Sequence, residues 1–223
     1  MSETDGYLGF RGTHDVGSEN AALRFVIKSM LAEVATSHVV KVVNARSNGQ
    51  VAPPGTIDVQ ILVHQIDGYG NTYPHDTIYN VPYKRNQNGT HGIIMDPVAG
   101  DIGVIVCASR DISAVKANNG TASQPGSLRR HDLADALYIG TVIATKAPEN
   151  FMQFNDQGMA LATPHDISIT ANGTITLHAA AIKLVGPIQQ TGGSITSNGK
   201  HIDDSHIHGN VQPGGGSTSP PSN

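Results

Sequence analysis

Apolar positions along the chain change their spacing twice. Between about Ser18 and His38, Leu23, Val26, Ile27, Met30, Leu31 and Val34 recur at intervals of three and four, the period of one helical face. Ser18 stands ahead of them as an N-cap. From Val39 the period falls to two. Val39-Val40-Lys41-Val42-Val43 is β-branched, and Thr56 to Ile61 alternates. Ile78 to Tyr83, Gly92 to Met95, Ile102 to Cys107 and Asp135 to Ile143 follow. Pro53-Pro54-Gly55 and Asp96-Pro97-Val98-Ala99-Gly100-Asp101 are the turns between them.

Five or six short strands in about 100 residues predict a small barrel or sandwich, with the oligonucleotide/oligosaccharide-binding (OB) type of barrel as the candidate. From near Asn150 the texture changes again. After Phe151 to Met159 come Ile167-Ser168-Ile169-Thr170, Thr174-Ile175-Thr176-Leu177-His178 and Ala181-Ile182-Lys183-Leu184-Val185. Each such segment has one narrow apolar face, and charge is almost absent from Ile167 to Ser197. One ribbon of this kind cannot form a core alone. Three copies wound about a common axis can, with aliphatic residues inside and Ser and Thr outside. A Ser/Thr-rich linker is the plainer alternative, and the regular alternation argues against it. The expected organisation is mainly β: residues 1–38 with one helix, an OB-type barrel over 39–147, an intertwined trimeric β-helix or prism over 148–197, and a tip over 198–223.

Composition narrows the function. Only 14% of the 223 residues are charged, the net charge is −4, and aromatics are 4% with no Trp. The 25 Gly and 12 Pro fit a turn-rich β protein. No basic excess is present to follow a phosphate backbone, so nucleic acid is not an expected partner. Cys107 is the single cysteine; it makes no intramolecular disulfide and reads as a small core residue. No run approaches the ~18 apolar residues of a membrane span. The start, MSETDGYLGFRG, lacks the basic-then-apolar pattern of a secretory signal, so synthesis in the producing cell's cytoplasm is expected.

Enzyme signatures are missing. The chain contains no GxSxG, HExxH or GxxxxGK[ST], and Asp96, Asp101 and Asp111 fall in turns with nothing to mark a catalytic pair. Arg110-Asp111 reads as a local ion pair or cap. The chemistry that stands out is His206-Ile207-His208. In extended chain, residues i and i+2 face one side, so both imidazoles can approach one ion. Two ligands per chain are too few for a tight site, but a three-fold axis supplies six nitrogens. Imidazole suits iron, nickel, copper and zinc, and six nitrogens disfavour structural zinc; iron is the first choice. With every position filled the metal would be structural. The alternative is a pair of exposed polar residues in a tail. His201 is a second-shell candidate; Asp203-Asp204 read either as imidazole acceptors or as a solvated turn. The remaining histidines, among them His38, His75 and His131, show no ligand spacing and read as surface or turn residues.

Two segments resemble one known family. Ser205-His206-Ile207-His208-Gly209-Asn210-Val211-Gln212-Pro213-Gly214-Gly215-Gly216-Ser217-Thr218-Ser219-Pro220-Pro221 is similar to the tip of the central spike of contractile-tailed bacteriophages, the baseplate assembly protein V-like, cell-puncturing proteins. Asp96 to Val106, with Arg110-Asp111-Ile112-Ser113, looks like the barrel of the same spikes. Asn210 stands where the family often has Gly, and Ser219 where Gly is common. The resemblance spans about Val39 to Pro221. It implies a non-enzymatic homotrimer in the virion, at the tip of the tail baseplate, bound to baseplate hub and tail tube proteins. It implies that His206 and His208 of three chains hold one structural iron ion, and that sheath contraction drives the spike into the host outer membrane. No lysozyme-like segment is present, so cell-wall cleavage is not expected of this chain. The competing readings are a trimeric receptor-binding tail fibre, an OB-fold binding module, and a metalloenzyme using the tip histidines.

Overall fold

The computed structural model describes residues 15–46, 49–67, 69–203 and 214. His206 and His208, with most of the expected tip, lie outside the described residues. The protein is mainly β. In chain order its elements are α1 (Glu19–Ala32), β1 (Ser37–Ala45), β2 (Thr56–Ile61), β3 (Gln65–Ile66), β4 (Thr72–Tyr73), β5 (Ile78–Pro82), β6 (Asn86–Asn88), β7 (His91–Ile93), β8 (Ile102–Cys107) and α2 (Ser113–Ala117). A short 3-10 turn (Leu133–Asp135) leads into β9 (Ala136–Ile143). Then come β10 (Phe151–Asn155), β11 (Gly158–Ala162), β12 (Thr196–Ser197) and β13 (Lys200–His201). The chain divides into two compact units between His165 and Asp166.

Helix α1 begins where its sequence signals it. Ser18 is extended, and its Oγ accepts a hydrogen bond from the Ala21 amide at 3.2 Å. It ends earlier than the apolar spacing predicts. The helix stops at Ala32, and His38 lies in β1, opposite Ile105 of β8. The β-branched run that begins at Val39 favours a pleated surface, and strand pairing overrides the helical spacing there.

The first unit is organised by a five-stranded antiparallel sheet in the order β5-β2-β1-β8-β9. Val40 and Val42 of β1 face Ile61 and Val59 of β2, and all four are buried. Ile57, Val81, Tyr83, Ile105, Ala136 and Tyr138 complete the core. The two ends of the strand order meet. Tyr83, just beyond β5, forms a parallel bridge with Tyr138 of β9, and the Lys84 amide donates to the Tyr138 carbonyl at 2.8 Å. Edge groups that would otherwise be unpaired are satisfied there. Hairpins β3–β4 and β6–β7 are appended to this sheet's connections, and β10–β11 ends the unit.

Close packing at the closure demands a glycine. A Cβ on Gly103 of β8 would lie 2.3 Å from both the Tyr138 hydroxyl and the Gly140 carbonyl. The Tyr138 ring occupies the space that a side chain at 103 would need, and its hydroxyl shares a hydrogen bond with Thr141 Oγ1 at 3.2 Å.

The second unit departs from its sequence pattern. The expected strands at 167–170, 174–178 and 181–185 form no ladder among the described residues. A strand needs a partner backbone, and within one chain these short segments find none. One hairpin does form, β12–β13, turned by Asn198 and Gly199 at φ 49° and 76°. Asn-Gly is the strongest short-range signal for such a turn.

Replacing Gly103 by Ala should lower stability by about 1–3 kcal/mol, since the added methyl meets backbone as well as a packed ring. The measurement is the urea midpoint of the purified protein; an unchanged midpoint would contradict the packing described.

Candidate functional site

The residues able to do chemistry in the first unit are mostly engaged in structural ion pairs. Asp58 on β2 is buried, and Arg46 grips it with two bonds of 2.7 Å. The Asn80 amide adds a third at 3.0 Å, with Asn80 at φ 57°. Hydrogen bonds from Arg46 hold the Asp58 carboxyl below its usual range, against the opposing effect of burial. Arg85 and Asp96 form a second two-bond pair, at 2.9 and 2.7 Å, and both side chains are buried. Arg85 also donates to the Ala52 carbonyl.

Arg129 joins two buried carboxylates. It lies 3.1 Å from Asp111 and 3.2 Å from Asp135. Asp111 further accepts from the Ser113 amide at 2.8 Å and the Ser127 hydroxyl at 2.6 Å. Asp135 accepts from the Ile112 amide at 3.0 Å. The Ser113 and Ser127 hydroxyls, with the Ser113 amide and Arg129, hold Asp111 far below the usual carboxyl range. Gly126 makes room for this cluster, because a Cβ there would lie 2.4 Å from Ser113 Oγ. The ion pair expected between Arg110 and Asp111 is therefore corrected. Arg110 stands in a bend beyond β8, and the cation beside Asp111 is Arg129. Two carboxylates that both hold a cation and accept amide bonds form a clasp between loop and sheet. Both are buried.

An open pocket of about 460 Å³ lies beside the sheet closure, lined by Lys84, Met95, Asp96, Asp101, Tyr138 and Thr141 among others. Its two carboxylates are already committed. Asp96 holds Arg85, and Asp101 accepts from the Val98 amide at 3.0 Å. Cys107 is half-buried against the core, not fully enclosed. Burial, then the charges of Asp132 and Asp135, push its thiol above the ordinary value and disfavour the nucleophilic thiolate.

Sequence spacing missed one pair of histidines. The rings of His38 and His75 approach to 6.3 Å between centroids, with His75 Nδ1 3.1 Å from Gln65 Nε2. Burial, then His75, lowers the His38 pKa. His38 Nε2 and His131 Nδ1 are buried with no hydrogen-bond partner among the described residues. His38, in β1, is thus not the surface or turn residue its spacing suggested, whereas His131 does stand in a bend. His38 and His75 are 37 positions apart in the sequence, which hides a contact that only the folded chain creates. Among the described residues, no group of three or more His, Cys, Asp or Glu side chains is placed to hold a metal ion.

In the second unit two features point outward from the single chain. Ile167, Ile169, Ile175, Leu177, Ile182, Leu184, Val185 and Ile188 are between 52% and 87% exposed. They include three aliphatic-x-aliphatic pairs, starting at 167, 175 and 182. Near the C-terminus, the β12–β13 hairpin is clasped by Asp203. Its carboxylate accepts from the Ile195 amide at 2.9 Å and lies 3.4 Å from His201 Nδ1. Asp203 is therefore a hairpin clasp and not a solvated turn. His201 faces that carboxylate five residues ahead of His206. Asp204, His206 and His208 lie outside the described residues. As a donor set, two imidazoles separated by one residue fit an ion shared among chains and do not complete a site in one. No helix among the described residues is long and apolar enough to cross a membrane. No protein-family model matches the chain, and no curated protein matches its sequence significantly.

Acid titration should expose the carboxylate clasp. A carboxyl held low in the folded state lends stability fully above its unfolded value, near ~4, and loses it as pH falls through the folded value. Replacing Arg129 by Ala should lower the unfolding temperature most at about pH 5–7, with the gap to the parent protein narrowing below about pH 4. Thermal melts across that range would check it; a gap independent of pH would show that the Asp111 charge is not what Arg129 supports.

Proposed function

We propose that this chain is a subunit of a trimeric central spike of a contractile phage tail, a structural, non-enzymatic protein that pierces the host outer membrane. The observation that carries the reading is the row of exposed aliphatic side chains from Ile167 to Ile188. Eight such residues in water oppose folding, and each side chain of this size is worth about 1.5–3 kcal/mol when fully buried. Three chains wound together would cover them and would supply the ladder partners that one chain lacks. The segments recur at 167, 175 and 182, as expected of stacked turns of a triangular β-prism.

The first unit supports the same reading. Strand order β5-β2-β1-β8-β9, joined at its ends by the parallel Tyr83–Tyr138 bridge, agrees with a closed five-stranded OB-type barrel. In the spike such a barrel stands at the baseplate, against hub and tube proteins. Its ionic groups serve packing, which suits a mount better than a catalyst. Binding single-stranded nucleic acid calls for exposed aromatics in a basic groove, which a chain of net charge −4 does not favour.

At the far end, His206 and His208 from three chains would together hold one iron ion. Such an ion supplies a cross-link that converts binding free energy into folding free energy at the point that must not fray. The described chain just before this point forms the Asn198-Gly199 hairpin, closed by Asp203.

Sedimentation equilibrium and elemental analysis of untagged protein test the proposal together. The expected result is a mass of three chains with about one iron per three chains. Replacing His206 and His208 by Ala should abolish bound iron and leave the trimer. A monomer would overturn the spike reading; a trimer with one metal per chain would overturn the shared tip.

A further inference from the structure

Helix α1 turns its more apolar side to water. Ala21, Ala22, Phe25 and Ser29 are half-buried, whereas Leu23, Val26, Ile27, Met30, Leu31 and Val34 are 40–65% exposed. At 100° per residue these sets lie on opposite sides of the helix. No residue of α1 is fully buried. A helix of 14 residues is marginal on its own in water, and packing of its apolar face is what normally stabilises one of this length.

The exposed side has the order of a helix–helix seam. Asn20, Leu23, Ile27 and Met30 follow one another at intervals of three, four and three, with Val34 four further on. That is the a/d spacing of a heptad, with Asn20 and Ile27 at a and Leu23 and Met30 at d. The flanking g positions are Glu19 and Val26, and the e positions are Arg24 and Leu31. In a parallel assembly a g residue meets the e residue five positions on in its neighbour. Glu19 then meets Arg24 of the next chain, and Val26 meets Leu31: opposite charges pair, and apolar meets apolar. In an antiparallel assembly g meets g and e meets e, which sets Arg24 against Leu31 and Glu19 against Val26. Apolar residues at e and g widen the face beyond the narrow stripe of a two-stranded coil. A buried Asn at a is the device that sets register at some cost in stability.

We infer that α1 is a second trimerisation element, a short parallel three-helix bundle formed by copies of this chain through Leu23, Ile27 and Met30. The inference rests on the trimeric reading for its copy number, but not for its register or direction. Two heptads would associate weakly alone. Joined to chains already held together elsewhere, the helices meet at a high effective concentration, and a weak seam then suffices.

Thiol cross-linking in the full chain decides it. Cys107 is replaced by Ser, and either Ile27→Cys in the seam or Lys28→Cys outside it is added. Mild oxidation and a non-reducing gel are read beside sedimentation equilibrium. The expected result is linkage with Ile27→Cys of about two chains in every three, the ceiling for one thiol per chain in a trimer, and little with Lys28→Cys. A trimer that links equally at both positions, or at neither, overturns the helix bundle and leaves the trimeric spike standing. A monomer overturns both. Efficient linkage confined to Lys28→Cys would place a different helix face between the chains and overturn the seam.

Discussion

Apolar surface must be covered, and the two units of this chain stand on opposite sides of that constraint. In the first unit Val40, Val42, Ile57, Val59, Ile61 and Ile105 are removed from water by their own chain. The strands cross a single sheet whose ends meet at Tyr83 and Tyr138, so backbone groups at both edges find partners as the core forms. In the second unit the aliphatic residues alternate just as regularly but, among the described residues, have no facing strand. The segments are short, each offers one narrow face, and a two-stranded ribbon of such segments is marginal in water.

The polar groups of the first unit follow from its closure. Asp58, Asp111 and Asp135 are buried, and each is held by an arginine and by backbone or side-chain donors. Removing one partner of such a group leaves a desolvated charge, which makes these contacts more exacting than their number suggests. Their geometry ties the loop that carries Arg129 and Gly126 to the start of β9 and to Asp111 beyond β8. Gly103 and Gly126 stand where another structure already fills the position of a side chain.

In the proposed spike, the protein would make its shared contacts through three unlike surfaces. The prism segments offer aliphatic side chains, helix α1 offers a heptad seam, and the terminal histidines offer donors for one ion. Each is incomplete in one chain for a different reason: missing cover, missing helices and missing ligands. A three-fold arrangement would complete all of them, because each surface contributes one third of a symmetric whole.

Much was legible from residue order because local periodicity reports which face of an element is buried. The N-cap at Ser18, strands β1, β2, β8 and β9 and the overall β class all follow from spacing and turn residues. The spacing of two imidazoles likewise marks His206 and His208, which lie outside the described residues, as candidate ligands. The end of α1 was not legible, because Val34 continues the helical spacing although the backbone has already left the helix at Ala32. Nor was Arg129 as the partner of Asp111, or His75 as the neighbour of His38. Arg129 and Asp111 stand in loops and His75 in the connection before β5, so each pair meets only once the sheet that carries those loops has formed. Sequence carries the period of each element; the partner across space is decided by register and closure, which depend on the whole sheet at once.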